Sequence, residues 1–405
     1  MMRLFSKSPK RRNTFMRATP VLGREQYSRK KWRPLKLDGT IASISFIFVL
    51  FGLLFTYSSS AFETTQFVKR QLLFDVVGLI AAGFLSQMYT HLQRMKIFRP
   101  LNLLLFTWVL LVIVLFTREQ ANTHRWIDLG FIKIQPSEIA KVTLVIYIAD
   151  CLDKVSGKLT KNWRALIHPL IMAGITIALI VLEKDWGIPA LMGGVFLAML
   201  FVAGIRWRDF GILALGAGFL GAIGLCIEPY RRARVLAYFH IGNAVESTVN
   251  YQVQQSFLAV GSGGWLGKGL GNSELKMQYL PAAHTDFIFS VMCEEVGLLV
   301  LIVVGGFTWL LIRGVMLARI AKTTFNSLVI FGLTLTLCTQ AFFNMAMAIG
   351  VVPTKGIALP FFSYGGTSVV MTLIMIGIIL NLAAVDNAPN TVRDDFTNYK
   401  NRNRL

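Results

Sequence analysis

Charged residues flank or enter apolar segments at three places, and their types and spacing suit acid–base chemistry. The first place is the pair Glu138 and Lys141, three residues apart, so a helix would put both side chains on one face. The second is Asp185, in the short polar turn EKDWG between two apolar runs. The third is Asp286, two residues after His284, where another apolar run begins. An acid at such a boundary can exchange protons with water and still meet a substrate held in a membrane, which suits a general base.

Each of these groups also has a structural interpretation. Glu138 and Lys141 would form an ordinary ion pair, and Asp185 would lie in a solvated turn beside an interfacial tryptophan. Asp286 would stabilise the first turn of a helix through its interaction with the free amide groups there. Under the functional interpretation, Glu138 and Lys141 line a polar cavity, Asp185 points into it, and Asp286 is its base.

The elements that must position these residues are membrane-spanning helices. Hydrophobic residues make up 54% of the 405 residues and charged residues only 15%, whereas soluble proteins have about 25% charged residues. Apolar runs of roughly 18 or more residues predict transmembrane helices. Ten such runs are present, at about residues 39–58, 71–89, 100–117, 134–151, 166–183, 187–204, 209–227, 284–312, 325–350 and 366–385.

The predicted fold class is therefore an all-α polytopic membrane protein with ten transmembrane helices and one long extracytoplasmic loop between spans 7 and 8. Four parts are expected: a basic N-terminal arm, the ten-helix membrane domain, the long loop within it, and a C-terminal tail. Their predicted boundaries are residues 1–37, 38–385, 228–283 and 386–405, respectively.

The distribution of the net charge of +20 predicts the topology. In a soluble protein this charge would suggest nucleic acid, but here the basic residues concentrate in the arm, the tail and alternate loops, so no nucleic-acid partner is expected. The positive-inside rule places this basic face and both termini in the cytoplasm. The four cysteines lie in or beside apolar runs at spacings that match no metal pattern, and they predict neither disulfides nor a metal centre.

A second set of cations is expected on the outer face. The long loop contains Arg231, Arg232 and Arg234, and other outer segments add Lys133 and Lys355. An outer basic cluster runs against the positive-inside trend, so it indicates an anionic ligand such as phosphate, with a lipid-headgroup anchor as the alternative. Together with the embedded carboxylates, these cations predict a pocket for a pyrophosphate-bearing substrate and one general base.

The glycine-rich stretch GSGGWLGKGLG lies in the long loop ahead of Asp286. Its glycines would permit either close approach of the backbone to a ligand or simply tight turns. No Gly-Lys-Ser/Thr sequence follows, so a nucleotide-binding P-loop is not predicted. Glu294 and Glu295, farther into the next apolar run, are interpreted as structural.

Four segments together resemble the SEDS family of membrane peptidoglycan polymerases, which includes FtsW, RodA and SpoVE. The segments are HRWIDLG…IQPSEIAK, YQVQQSFLAVGSGGWLGKGLGNSELK, YLPAAHTDFIFSVMCEEVG and PTKGIALPFFSYGGTS. The resemblance covers roughly residues 38–385. The KGLGNSELK, PTKG and YIADCL sequences are more similar to the FtsW branch of the family than to the RodA branch.

The resemblance implies an inverting glycosyltransferase that joins lipid II units into glycan strands at the outer face of the cytoplasmic membrane. Such proteins release undecaprenyl pyrophosphate and act in cell division, at the septum. The implied partners are a cognate class B penicillin-binding protein, an FtsI-like transpeptidase, and other divisome proteins.

The resemblance also implies roles for individual residues. Asp286 matches the family's essential acid, and Lys141 and Asp185 match residues of two other family motifs. Lys133 stands where the family often has arginine, which keeps the charge but loses the planar fork for phosphate. The turn around Asp185 lacks the family's usual proline and threonine, which leaves its exact role open.

The expected mechanism is a one-step displacement. Asp286 accepts the proton of the GlcNAc 4-hydroxyl as that oxygen attacks C1 of MurNAc, while cations neutralise the leaving pyrophosphate. Mg²⁺ or Mn²⁺, held with help from Asp185, could also do this, but no spacing identifies a metal site. The alternative function is a lipid II flippase, and a third is a scaffold that only recruits partners. Polar residues concentrate on the outer side, which favours surface chemistry over alternating access.

Overall fold

The computed structural model describes residues 35–60, 65–117, 125–130, 133–155, 163–227, 248–273, 285–353 and 356–387. Twelve α-helices lie within these residues: α1 Gly39–Ser60, α2 Thr65–Leu92, α3 Pro100–Leu115, α4 Pro136–Val155, α5 Ile167–Leu182, α6 Gly187–Val202, α7 Trp207–Ile227, α8 Thr248–Ser262, α9 Ile288–Val296, α10 Leu301–Ile320, α11 Thr324–Ala348 and α12 Gly366–Asn387. The strands β1 Ile127–Asp128 and β2 Lys133–Ile134 pair antiparallel just before α4.

The surface and length of the helices identify a membrane protein. Six described helical segments are long and apolar enough to cross a membrane, and α3 and α6 are shorter apolar helices. Large apolar side chains point outward: Ile80, Leu215 and Phe219 are 68%, 77% and 68% exposed. Such surfaces suit contact with lipid, because water would penalise apolar patches of this extent. The predicted class, an all-α polytopic membrane protein, is confirmed at this level.

Helix α12 is largely buried and packs along α2. A Cβ built on Gly377 would lie 2.7 Å from the carbonyl oxygen of Ala82, so the two backbones approach closely, as small residues allow in membrane bundles. Asn381 adds a polar connection between the same helices. Its Nδ2 donates to the Ser86 carbonyl at 3.0 Å, and its Oδ1 accepts from the Thr90 amide at 3.1 Å.

The eighth predicted span, an apolar run over about residues 284–312, corresponds to the helical segment Ile288–Ile320, which is long and apolar enough to cross a membrane. This segment is not one continuous α-helix. Helix α9 ends at Val296, Gly297 takes a φ of +58°, and a short 3-10 turn leads into α10, which continues to Ile320. The helix is interrupted where another segment of the chain crosses it: a Cβ on Gly297 would lie 2.5 Å from the Gly267 nitrogen. The amide of Leu298 donates to the carbonyl of Trp265 at 3.1 Å.

That crossing chain is the glycine-rich loop, residues 263–273. Its amides at Lys268 and Gly269 donate to the carbonyls of Glu294 and Glu295 at 2.9 and 3.0 Å, which satisfies acceptors left open at the end of α9. A Cβ on Gly263 would lie only 2.0 Å from the Cys293 carbonyl oxygen. The close approach that these glycines permit is therefore to the backbone of α9.

The side chain of Glu294 holds the same loop. Its carboxylate is fully buried, accepts from Lys268 Nζ at 2.9 Å and accepts from the Ser273 hydroxyl at 2.5 Å. Glu295 accepts from the Ser58 hydroxyl of α1 at 2.5 Å. Both acids thus bind neighbouring elements, in line with their structural interpretation.

Two alanine substitutions should separate this packing from backbone strain. Gly267 and Gly271 both have positive φ, +76° and +84°, but a Cβ on Gly267 would lie 2.1 Å from the Glu295 carbonyl oxygen, whereas one on Gly271 meets nothing within 4 Å. Gly271→Ala should cost about 1 kcal/mol of unfolding free energy from strain alone. Gly267→Ala should cost about 3 kcal/mol, because the loop must also move off α9. Thermal unfolding in detergent measures both, and equal losses would contradict the packing described.

Candidate functional site

A cavity of about 240 Å³ lies where α4 and α6 begin and α11 ends. Four charged residues line it: Arg125, Glu138, Lys141 and Asp286. The structure therefore brings together three of the residues predicted from sequence and adds Arg125. Two cations and two carboxylates balance in the described lining, so the basic character expected for this pocket depends on other residues.

Lys141 and Glu138 form a buried ion pair on the first turns of α4. The side chains are 1% and 5% exposed, and the Lys141 Nζ lies 2.8 Å from Glu138 Oε2. Lys141 Nζ also donates to Gln340 Oε1 of α11 at 2.5 Å. Helix α4 begins at Pro136, which suits a first helical position because proline has no amide hydrogen to leave unpaired. The predicted i,i+3 pairing and the predicted cavity wall are both present.

Asp286 lies in the turn immediately before α9 rather than in its first turn. The helix begins at Ile288, with Phe287 at the N-cap. A Cβ built on Gly356 would lie 3.2 Å from Asp286 Oδ2 and 3.7 Å from Arg125 Nη1. The carboxylate and the guanidinium thus converge on a glycine whose missing side chain leaves room between them. The structural alternative placed Asp286 in the first turn of the helix, whereas the residue lies just before the N-cap.

Asp185 forms an ion pair with Arg125, one of the residues that line the cavity. Arg125 Nε lies 3.5 Å from Asp185 Oδ2, and Asp185 Oδ1 accepts from the Gly187 amide at 3.0 Å. Asp185 is only 3% exposed, so the solvated-turn interpretation is wrong. It is also absent from the cavity lining described above. Its contact with the cavity runs through Arg125, which it can orient and whose charge it partly offsets.

Arg125 is the functional candidate that sequence reasoning missed. It lies two residues before β1, within the HRWIDLG segment, and nothing in its spacing relates it to Asp185 or Asp286. The only indication in the sequence is the residue type: an arginine next to a tryptophan, in a segment expected on the outer face, is suited to bind an anionic substrate. The ion pair between Arg125 and Asp185 could not be predicted, because the fold brings together the hairpin and the α5–α6 turn, which are far apart in the sequence.

Glu183 is a second buried carboxyl group in the α5–α6 turn. It is fully buried, and neither carboxylate oxygen has a hydrogen-bond partner among the described residues. Burial, and then the nearby Asp185 carboxylate, raise the pKa of Glu183 to about 9, while Arg125 acts in the opposite direction. The neutral form of this side chain is therefore favoured at pH 7.

The remaining predicted site residues lie elsewhere or outside the described chain. Lys133 is in β2, with a half-exposed side chain whose Nζ lies 3.6 Å from Asp128 Oδ2. It is not part of the described cavity lining, so its role in substrate binding stays a prediction. Five further predicted residues lie outside the described residues: His284, Arg231, Arg232, Arg234 and Lys355.

The described residues offer no group of three histidine, cysteine, aspartate or glutamate side chains able to hold a metal ion. Asp185, the residue associated with Mg²⁺ or Mn²⁺ from sequence, already faces Arg125 and the Gly187 amide. The lining of the cavity can itself supply a carboxylate that accepts a proton and two cations that neutralise a phosphate. A requirement for a divalent ion stays an open prediction.

The raised pKa of Glu183 predicts a pH effect on stability. Between the unfolded pKa of 4.5 and the folded value of about 9, the folded protein binds the proton more tightly. Protonated Glu183 therefore contributes to the free energy of unfolding. This contribution is fully present below pH 4.5 and is lost as pH rises toward 9, by up to about 1.4 kcal/mol per pH unit. Glu183→Gln cannot titrate at this position. The difference between its unfolding temperature in detergent and that of the wild type should therefore shift in favour of the variant as pH rises from 5 to 8. Parallel curves for the two proteins would contradict the assignment.

Comparisons with known proteins agree on one family. The family model for FtsW, RodA and SpoVE, described as cell cycle proteins, matches residues 39–388. A Geobacter metallireducens protein named "Probable peptidoglycan glycosyltransferase FtsW" is 37% identical over 360 residues, which are 86% of this chain and 95% of that protein. A Halomonas elongata protein of the same name is 37% identical over 289 residues, 70% of this chain and 73% of that protein.

Solved structures show the same fold. A chain from work on how a peptidoglycan synthase complex coordinates polymerization and crosslinking superimposes with a TM-score of 0.70 and 25% identity, over 86% of this chain and 98% of that one. The rod-shape-determining protein RodA of Thermus thermophilus gives a TM-score of 0.66 at 24% identity, over 88% and 99% of the two chains. With a family match over nearly the whole membrane region, this chain belongs to the FtsW/RodA/SpoVE family, the SEDS family that its motifs resemble.

Proposed function

We propose that this protein is a peptidoglycan glycosyltransferase of cell division, which joins lipid II units into glycan strands. The observation that carries the proposal is the cavity lined by Asp286, Lys141 and Arg125, in a chain whose relatives are named FtsW glycosyltransferases. A polymerase of this kind needs a base for the attacking hydroxyl and cations for the departing pyrophosphate. Both kinds of group lie within one cavity.

The proposed reaction breaks one bond and forms one bond at a single carbon. The 4-hydroxyl oxygen of GlcNAc on one lipid II attacks C1 of MurNAc on another, and its proton passes to the Asp286 carboxylate. The bond from C1 to the pyrophosphate oxygen breaks, so undecaprenyl pyrophosphate leaves with its electron pair. One base is sufficient, because pyrophosphate is already a good leaving group and needs no second carboxylic acid.

Arg125 and Lys141 are the cations that the described cavity offers to the pyrophosphate. Arg125 presents a planar donor group suited to phosphate oxygens, and it forms an ion pair with Asp185. Lys141 is buried against Glu138, so its charge acts in a poorly screened environment. Further substrate contacts are proposed for five more cations: Lys133, Arg231, Arg232, Arg234 and Lys355. His284, two residues before Asp286 in the sequence, is proposed to contact substrate as well.

The proposed membrane arrangement has ten spans in a domain over 38–385. Six long apolar segments, the shorter α3 and α6, and the helices α4 and α7 together give ten, with α9 and α10 counted as one span. The arm over 1–37 and the tail over 386–405 would lie in the cytoplasm, and the loop over 228–283 outside it. The basic composition of the arm supports this orientation. The proposed location is the cytoplasmic membrane at the division septum.

The proposed partner is a class B penicillin-binding protein with FtsI-like transpeptidase activity, together with other divisome proteins. The structural neighbour described above comes from a synthase complex that couples polymerization with crosslinking, which supports such a partner here. The choice of division over elongation rests on the FtsW names of the sequence relatives.

One experiment tests the function and separates it from transport. The protein is purified with its cognate transpeptidase, supplied with lipid II in detergent and in vesicles, and assayed for glycan strands by gel electrophoresis. Polymer made by the wild type supports the proposal. Movement of lipid II across vesicles without polymer would favour the flippase, and neither activity would favour a scaffold. Repeating the assay with EDTA, Mg²⁺ or Mn²⁺ decides whether a divalent ion takes part.

A further inference from the structure

Asn344 of α11 connects the proposed base to a neighbouring chain segment. The residue is completely buried. Its Nδ2 donates to the Asp286 carbonyl at 2.9 Å and to the Ile357 carbonyl at 2.7 Å. Both partners are acceptors, so the amide group must point its nitrogen at them, and the orientation follows from the bonding. One side chain thus uses both of its N–H groups to fix two backbones.

Gln340 makes the matching connection one helical turn earlier. Its Nε2 donates to the Ala358 carbonyl at 2.8 Å, and its Oε1 accepts from Lys141 Nζ at 2.5 Å. Residues four apart on a helix share a face, so Gln340 and Asn344 bind consecutive carbonyls of the same segment. Through this face of α11, the ammonium group of Lys141 and the backbone of Asp286 are held against one short stretch of chain.

The turn that carries Asp286 depends on such bonds for its position. It precedes α9, so the carbonyl of Asp286 lies outside the regular part of that helix. The preceding carbonyl, of Thr285, accepts from the Ser363 hydroxyl at 2.6 Å. Two consecutive carbonyls of the turn are therefore bound by buried side chains from α11 and from the segment before α12.

We propose that Asn344 is a positioning residue for the reaction: it holds the backbone of Asp286 so that the carboxylate meets the attacking hydroxyl. The inference rests on the proposed function. A general base must lie within hydrogen-bond distance of the proton that it accepts, and a shift of about 1 Å in the reacting groups can cost about 100-fold in rate. Asn344 acts through the backbone of Asp286 and needs no contact with substrate.

The test compares two buried asparagines. Asn344→Leu keeps the volume and removes both donors. Asn381→Leu is the control, because Asn381 is also completely buried. Its Nδ2 donates to the Ser86 carbonyl and its Oδ1 accepts from the amide and the hydroxyl of Thr90, so it has one hydrogen bond more than Asn344. Ser86 and Thr90 belong to α2 and lie outside the cavity lining. Both variants should lose thermal stability. For each, kcat and KM for lipid II polymerisation are measured per folded molecule, at a temperature well below both unfolding midpoints.

Asn344→Leu should lower kcat at least about 10-fold with KM changed less than about 3-fold, since the base is displaced while substrate contacts remain. Asn381→Leu should keep kcat within about 2-fold of the wild type. Equal losses in the two variants, or a normal kcat in Asn344→Leu, would overturn the inference. So would a rise in KM alone, because that result indicates direct substrate contact.

A milder variant guards against loss of folding. Asn344→Ser retains one hydroxyl donor in a smaller side chain, and it should give a kcat between those of the wild type and Asn344→Leu. If Asn344→Leu fails to fold, a wild-type kcat in folded Asn344→Ser overturns the inference. A wild-type protein that makes no glycan with its partner counts against the proposed function itself, whereas an active wild type with unaffected Asn344 variants counts against the inference alone.

Discussion

Replacing Asp286 with asparagine should reduce lipid II polymerisation at least about 100-fold, because the amide has nearly the same shape but cannot accept the proton of the attacking hydroxyl. General-base catalysis by a positioned side chain typically contributes 100- to 10,000-fold. The Asp286 carbonyl, which accepts from Asn344, is unchanged by the substitution, so the turn before α9 should keep its position. The measurement is the initial rate of glycan formation at saturating lipid II, per mole of folded protein with its transpeptidase partner.

Whether the Asp286→Asn substitution changes kcat or KM distinguishes a general base from a substrate-binding residue. Removing a carboxylate beside Arg125 makes the cavity more positive, which should leave KM unchanged or lower it, while kcat falls. Asp150→Asn is the matched control: Asp150 lies near the other end of α4, 2.5 Å from Lys154, and its replacement should leave the rate unchanged. Undiminished polymerisation by Asp286→Asn would remove Asp286 from the mechanism, and an equal loss in Asp150→Asn would indicate a general structural effect.

Apolar length predicts the membrane-spanning helices, but it predicts neither the helix α8, which lies within the expected long loop, nor the interruption at Gly297. Apolar length alone placed α1, α3, α5 and α6 to within a few residues of their observed bounds, since the bilayer fixes how long a span must be. The break at Gly297 could not be predicted in the same way. It depends on the glycine-rich loop lying across the end of α9, and that contact joins residues roughly thirty positions apart. A glycine in an apolar run is otherwise tolerated without interruption.

The residues of the candidate site likewise fall into those that local sequence predicts and those that depend on tertiary contacts. The pairing of Glu138 with Lys141 follows from helical spacing, and Asp286 follows from the boundary between a polar and an apolar segment. Arg125, Gln340 and Asn344 could not be found this way, because each matters through a partner brought near by the fold. Gln340 is 199 residues from Lys141 in sequence, and Asn344 is 58 residues from Asp286. A neutral amide inside an apolar helix gives no sign in the sequence of which carbonyls it binds.

Replacing Lys141 with methionine should lower both polymerisation and stability, and the two effects can be separated. The substitution removes a cation from the cavity, and polymerisation should fall at least about 10-fold if that charge stabilises the departing pyrophosphate. It also leaves Glu138 buried without its partner 2.8 Å away, which should cost about 3–5 kcal/mol of unfolding free energy. A loss of activity in this variant alone would therefore be ambiguous.

The double variant Glu138→Gln/Lys141→Met resolves the ambiguity, because it removes both charges and keeps the approximate volumes. Replacing a buried ion pair by uncharged side chains is often neutral for stability, so most of the loss should be recovered. About 1–3 kcal/mol should remain lost, because Gln340 Oε1 no longer has its donor. Polymerisation should stay low, since the ammonium group is still missing from the cavity. If activity instead returns together with stability, Lys141 serves only to balance Glu138, and the cationic stabilisation of pyrophosphate must come from Arg125 and residues beyond the described cavity.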